Sequence, residues 1–135
     1  MTLNYLAIIL GAVGGMVVGA IWFARPAFGP AWAGLTGVDT SAKTPPSVYL
    51  LSTLATLVTS AVIAGGATIA HEVFGGSYLV VALTVSAILW LGFTASRNAV
   101  EYLFESRPAR LFAIDMGHQL AVVLVMGLVI GLLGR

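Results

Sequence analysis

The sequence predicts an all-α integral membrane protein, a four-helix bundle with four transmembrane helices. Three observations carry that prediction. Hydrophobic residues make up 59% of the chain and charged ones 8%, where a soluble domain carries about 25% charged residues. Charge-free runs occupy residues 2–24, 44–70, 73–96 and 116–134. Each run is close to the ~20 apolar residues that cross a hydrocarbon core roughly 30 Å thick. Helices follow because a backbone in lipid must satisfy its own hydrogen bonds. The runs also lack the polar–apolar alternation of membrane barrel strands.

The first helix is expected over about 4–24, ending at Arg25-Pro26. It has no basic leader, and its apolar run exceeds the 7–15 residues of a signal sequence, so it reads as a retained span. Residues 26–43 form a connector containing Gly and Pro. With Phe28 and Trp32 it is expected to lie at the cytoplasmic interface, where Trp22 and Phe23 would also sit at headgroup level. The second helix is expected over 45–70, with Thr44 as its cap and Pro45 or Pro46 in the first turn. His71, Glu72, Gly75 and Gly76 would then form a tight turn. The third helix is expected over 77–104, its last turns carrying Arg97, Glu101 and Glu105 at four-residue spacing as a solvated extension. Ser106, Arg107 and Pro108 break it, and the fourth helix covers 109–133. Residues 1–135 thus read as a single domain.

Basic residues in short loops set orientation, with the basic side cytoplasmic. Arg25, Lys43, Arg97, Arg107 and Arg110 fall on one side of four crossings, and Arg135 falls on the other. Both termini are therefore expected outside the cytoplasm. Arg25-Pro26-Ala27 and Arg107-Pro108-Ala109 stand at two cytoplasmic exits, a faint echo that a parallel two-helix repeat would explain.

A net charge of +1 implies no nucleic-acid partner, and the absence of cysteine excludes disulfides and thiolate metal sites. His71-Glu72 begins like a zinc-protease motif, but position 75 is Gly where the second His belongs. No paired-carboxylate site, nucleophile–base set or phosphate loop is present, so the chain reads as non-enzymatic, without cofactor or metal.

Two sets of residues remain. Gly11, Gly15 and Gly19 stand four apart on one helix face, and Gly127 and Gly131 repeat the spacing in the fourth helix. Small residues let backbones approach closely. They serve either as a homo-oligomer seam, a dimer first of all, or as packing inside one bundle. The second set is polar. Asp115, His118 and Gln119 share a face of the fourth helix, and Arg97, Asn98 and Glu101 could meet them from the third. A charge at the bilayer centre costs about 2.5–3.5 kcal/mol, so Arg97 and Asp115 invite pairing. They are equidistant from Ser106. The pair reads as a hairpin clamp at the headgroup level or as part of a polar cavity for an ion or solute. Asp115 and His118 alone supply too few ligands for a tetrahedral metal.

The chain resembles the domain of unknown function 1761 family of small bacterial membrane proteins. The resemblance rests on Trp22-Phe23 followed by Phe28-Gly29, Trp32 and Leu35-Thr36-Gly37. It continues in Phe104-Glu105, Arg107-Pro108, Leu111-Phe112, a polar residue at 115 and Gly117. It implies a four-helix protein of the bacterial inner membrane with no established activity, and it supplies no catalytic residues. The family usually places Asn where this chain has Asp115, and an aromatic where it has His118. Two other four-helix families fit less well. Small multidrug transporters rely on an acid in the first helix, which is missing here. Fluoride channels are only faintly echoed, by Gly92-Phe93-Thr94. Two functions are therefore expected. The first is a structural or accessory protein that self-associates in the lipid bilayer. The alternative is a small transporter or channel whose polar site lies between the third and fourth helices.

Overall fold

The structure is a computed structural model that describes residues 2–135. It contains α1 (Tyr5–Trp22), α2 (Gly29–Thr36), α3 (Pro46–Phe74), α4 (Tyr78–Leu89), α5 (Ser96–Phe104) and α6 (Ala109–Leu133). A π-helical segment, Trp90–Ala95, joins α4 to α5 in one continuous rod. Four rods are long and apolar enough to cross a membrane: α1, α3, Tyr78–Phe104 and α6. Large apolar side chains such as Leu51, Val58, Phe93 and Leu132 are each more than 60% exposed. Exposed apolar surface on that scale needs lipid as its solvent, so this is a membrane protein.

Helix ends explain the boundaries. Asn4 caps α1, accepting from the Ala7 amide at 3.1 Å, and it donates to the Gly134 carbonyl at 3.1 Å. That second bond ties the two ends of the chain together. Arg135 pairs with Glu72 at 3.6 Å. The connector is not irregular throughout: Phe28 N–H donates back to the Trp22 carbonyl at 2.9 Å, and α2 follows. Gly29 makes this reversal possible, because a Cβ there would collide with the Phe23 carbonyl oxygen. Beyond α2, the Ser41 amide and hydroxyl both donate to Asp39 and hold its carboxyl below the ordinary carboxylate range.

Two expected features of the second span are corrected. Thr44 does not cap it: the cap position is Pro45, in an extended conformation with no side-chain bond. Extended geometry is what a residue before proline prefers. Nor do His71 and Glu72 turn the chain. They remain helical, and the turn falls at Gly75 and Gly76, with φ of 70° and 84°. Only glycine adopts such angles without strain.

The α5–α6 turn places a non-glycine residue, Ser106, at φ 54°. Left-handed geometry disfavours L residues. Ser106→Gly is expected to raise thermal stability in detergent by roughly 0.5–1 kcal/mol. An unchanged or lower melting temperature would show that the Ser106 side chain contributes something glycine lacks.

Ile8, Ile63, Val122, Met126 and Ile130 are buried at the bundle centre. The glycines sit where rods touch. A Cβ on Gly11 would stand 2.7 Å from Ser60 Oγ, and one on Gly15 would stand 2.8 Å from Met126 Cε. At Gly127 it would stand 3.0 Å from the Ala82 carbonyl oxygen, and at Gly131 2.7 Å from Leu79 Cα. Gly11, Gly15, Gly127 and Gly131 therefore pack between rods of the bundle.

Candidate functional site

The π segment decides which residues of the third span face α6. Ala82 and Ser86 are buried, and an unbroken helical repeat would continue that face through Phe93, Arg97 and Glu101. One turn of π-helix accommodates an extra residue, so everything after it rotates. The inward face becomes Ala95, Asn98 and Tyr102; Ala95 and Tyr102 are buried, whereas Phe93, Arg97 and Glu101 are exposed. The wider turn leaves carbonyls poorly paired, and side chains reach back to them. Ser96 Oγ donates to the Gly92 carbonyl at 2.6 Å, and Asn98 Nδ2 to that of Thr94 at 2.8 Å.

A one-residue deletion tests this account. Removing Gly92 should convert the π turn to α-helix without rotating Ala95, Asn98 and Tyr102 away from α6. The variant is expected to fold and to keep its melting temperature within about 1 kcal/mol of wild type. Removing Val100, beyond the bulge, should rotate Tyr102 by about 100° and destabilise the bundle. Equal loss from both deletions would refute the account.

Asp115 lies six residues into α6, roughly 9 Å along its axis, and His118 roughly 13 Å along. The expected Arg97–Asp115 pair is absent. Instead the Tyr102 hydroxyl donates a hydrogen bond to Asp115 Oδ2. Arg107 lies over the Tyr102 ring at 4.6 Å and pairs with Glu105 at 3.3 Å. The hairpin clamp is therefore Tyr102–Asp115, braced by Arg107. His118 lies over Gly19, where a Cβ would stand 3.3 Å from Nε2. Its ring meets Phe23 edge-on at 4.8 Å.

Asn98, Asp115, His118 and Gln119 line one cavity of about 380 Å³, together with Thr94 and Tyr102. Phe23 and Trp32 form its aromatic side, 5.4 Å apart between ring centres. Trp32 comes from α2, so the connector folds against the site as well as lying near one end of the bundle. Trp22 and Phe28 pack together at 4.7 Å beside it. Of the six polar residues expected in the patch, four converge, and Arg97 and Glu101 do not. Two indoles hold α6 in place from different helices: Trp22 Nε1 donates to the Ile114 carbonyl at 3.2 Å, and Trp90 Nε1 to that of Met116 at 2.9 Å. Among the described residues, no three His, Asp or Glu side chains converge as metal ligands.

The cavity thus offers one carboxylate, an imidazole, two amides and aromatic rings. No Lys or Arg lines it. That lining is suited to holding a cation.

A family model described as protein of unknown function (DUF1761) matches residues 6–131. No curated protein and no solved structure matches the chain.

Proposed function

We infer the function from the site, because the chain belongs to the DUF1761 family and that family's description states no activity. We propose that the protein binds a small organic cation within the bacterial inner membrane and moves it between leaflets or across the bilayer, without catalysis. The observation that carries this reading is the cavity in which Asp115 is, among the described residues, the only charged side chain, beside Phe23 and Trp32. A carboxylate attracts a cation, and aromatic faces add about 0.5–2 kcal/mol of cation–π attraction. Asp115 gives one oxygen to Tyr102, which leaves the other for a ligand.

The charge asymmetry of the loops supports an orientation with both termini outside the cytoplasm and the cavity opening toward the cytoplasmic half. The accessory, self-associating reading has less support, since Gly11, Gly15, Gly127 and Gly131 pack against this chain's own helices.

The test is tetramethylammonium binding to the purified chain, read as a thermal shift. Asp115→Asn is expected to weaken binding by at least about tenfold while the variant stays folded. Equal shifts in wild type and variant, or no shift up to the solubility limit, would overturn the proposal.

A further inference from the structure

The polar cavity has a neighbour. A second space of about 620 Å³ lies between α1, the first half of α3 and α6. Phe23, His118 and Gln119 line both spaces, so the two meet. The gap exists because α3 joins the bundle late. None of its residues before Ser60 is buried, and Ser60 marks the junction by donating to the Ile8 carbonyl at 2.7 Å. On the opposite wall, Gly19 carries no side chain to fill the gap.

The chemistry of the gap differs from that of the cavity. Two of its four hydroxyls are satisfied within α3: Thr56 donates to the Ser52 carbonyl at 2.7 Å, and Thr59 to that of Ala55 at 3.2 Å. With those two hydroxyls turned back onto their own helix, Val48, Val122 and Met126 make much of the lining apolar. From Val48 to Thr59 the gap runs about 16 Å, which gives a mean cross-section of about 40 Å². That is about half the cross-section of a helix with its side chains, about 10 Å across. With carbon–carbon bonds of about 1.5 Å in a zigzag that advances about 1.25 Å per bond, an extended chain of about 14 carbons spans the same length.

We propose that the ligand is a single-chain cationic amphiphile drawn from the bilayer. Its headgroup sits at Asp115 and its hydrocarbon chain lies between α1 and the first half of α3. The inference rests on the cation-binding reading above and names the class of cation. An amphiphile already dissolved in the membrane reaches Asp115 sideways, through the gap, and never crosses water.

The experiment uses the full chain in phosphatidylcholine vesicles. A dodecylammonium probe carrying a diazirine near its chain end is photolysed, and the adducts are mapped by mass spectrometry. The inner positions of α3, at Ser52, Thr56 and Thr59, are expected to be labelled about tenfold more than the outer positions at Leu51, Leu54 and Val58. Asp115→Asn should abolish that preference, and so should Ala55→Phe, which fills the gap. The matching dodecyl alcohol should show no preference. Equal labelling of both faces by the cationic probe would overturn the inference. So would an inner-face preference shared by the alcohol, which would mean an ordinary lipid tail occupies the gap. Inner positions shielded from the probe but cross-linked to another copy would also overturn it. If tetramethylammonium still binds in an Asp115-dependent manner while the inner face shows no preference, the gap inference fails alone. If tetramethylammonium does not bind, the cavity reading fails first.

Discussion

Gly127→Leu is expected to cost about 3 kcal/mol or more and to leave little folded protein in detergent. At position 127 even a Cβ would stand 2.5 Å from Ser86 Oγ and 3.0 Å from the Ala82 carbonyl oxygen. The nearer atom can rotate away. The second belongs to backbone and moves only if α4 moves. Ser86 is itself fully buried and donates to that same carbonyl at 2.8 Å, so displacing it breaks a bond as well. Over-packing in cores usually costs about 1–3 kcal/mol, and the rest of a leucine has no space here. Gly65 provides the contrast. It also lies within a spanning helix, but nothing stands within 4 Å of a Cβ built there. Gly65→Ala should therefore leave stability unchanged or raise it by up to about 1 kcal/mol, through helix propensity. Both effects are read from thermal unfolding in detergent. Similar losses at the two positions would mean that glycine serves flexibility rather than close approach.

Tyr102→Phe is expected to destabilise the protein by about 1.5–3 kcal/mol, the usual worth of a hydrogen bond to a charged group. Tyr102 is 7% exposed, so water cannot readily replace its hydroxyl on Asp115. The ring itself is retained, and with it the packing on Phe112 at 5.3 Å and the stacking of Arg107. The loss should therefore report the hydroxyl alone. The double variant Tyr102→Phe with Asp115→Asn should recover part of it, since the partner left behind is no longer a charge. Additive losses in the double variant would show that the two residues do not act as a pair. Arg97→Ala should change stability by less than about 0.5 kcal/mol, because Arg97 is exposed and takes part in no ion pair among the described residues.

Much of the candidate site was legible, though not its register. Asp115, His118 and Gln119 are adjacent on α6 by helical spacing alone, and α6 is unbroken, so their grouping survives intact. Asn98 also arrives where it was expected. Arg97 and Glu101 were misplaced because Trp90-Leu91-Gly92-Phe93-Thr94-Ala95 looks like any other apolar helical stretch. Its composition holds nothing that announces a π turn. Trp32 carried a signal for the interface but none for the cavity, because eight residues of connector helix had to form before it could reach α6.

The four spans, their order and the glycine stripes were determined by the sequence alone. The bilayer is a severe solvent, and a charge-free run of the right length has one stable answer in it. What faces what was decided only by the tertiary structure. One extra residue in a helical turn rotates all that follows by about 100°, yet it leaves hydropathy and length unchanged. That rotation gave Asp115 a tyrosine in place of an arginine. It left the carboxylate without a cation of its own.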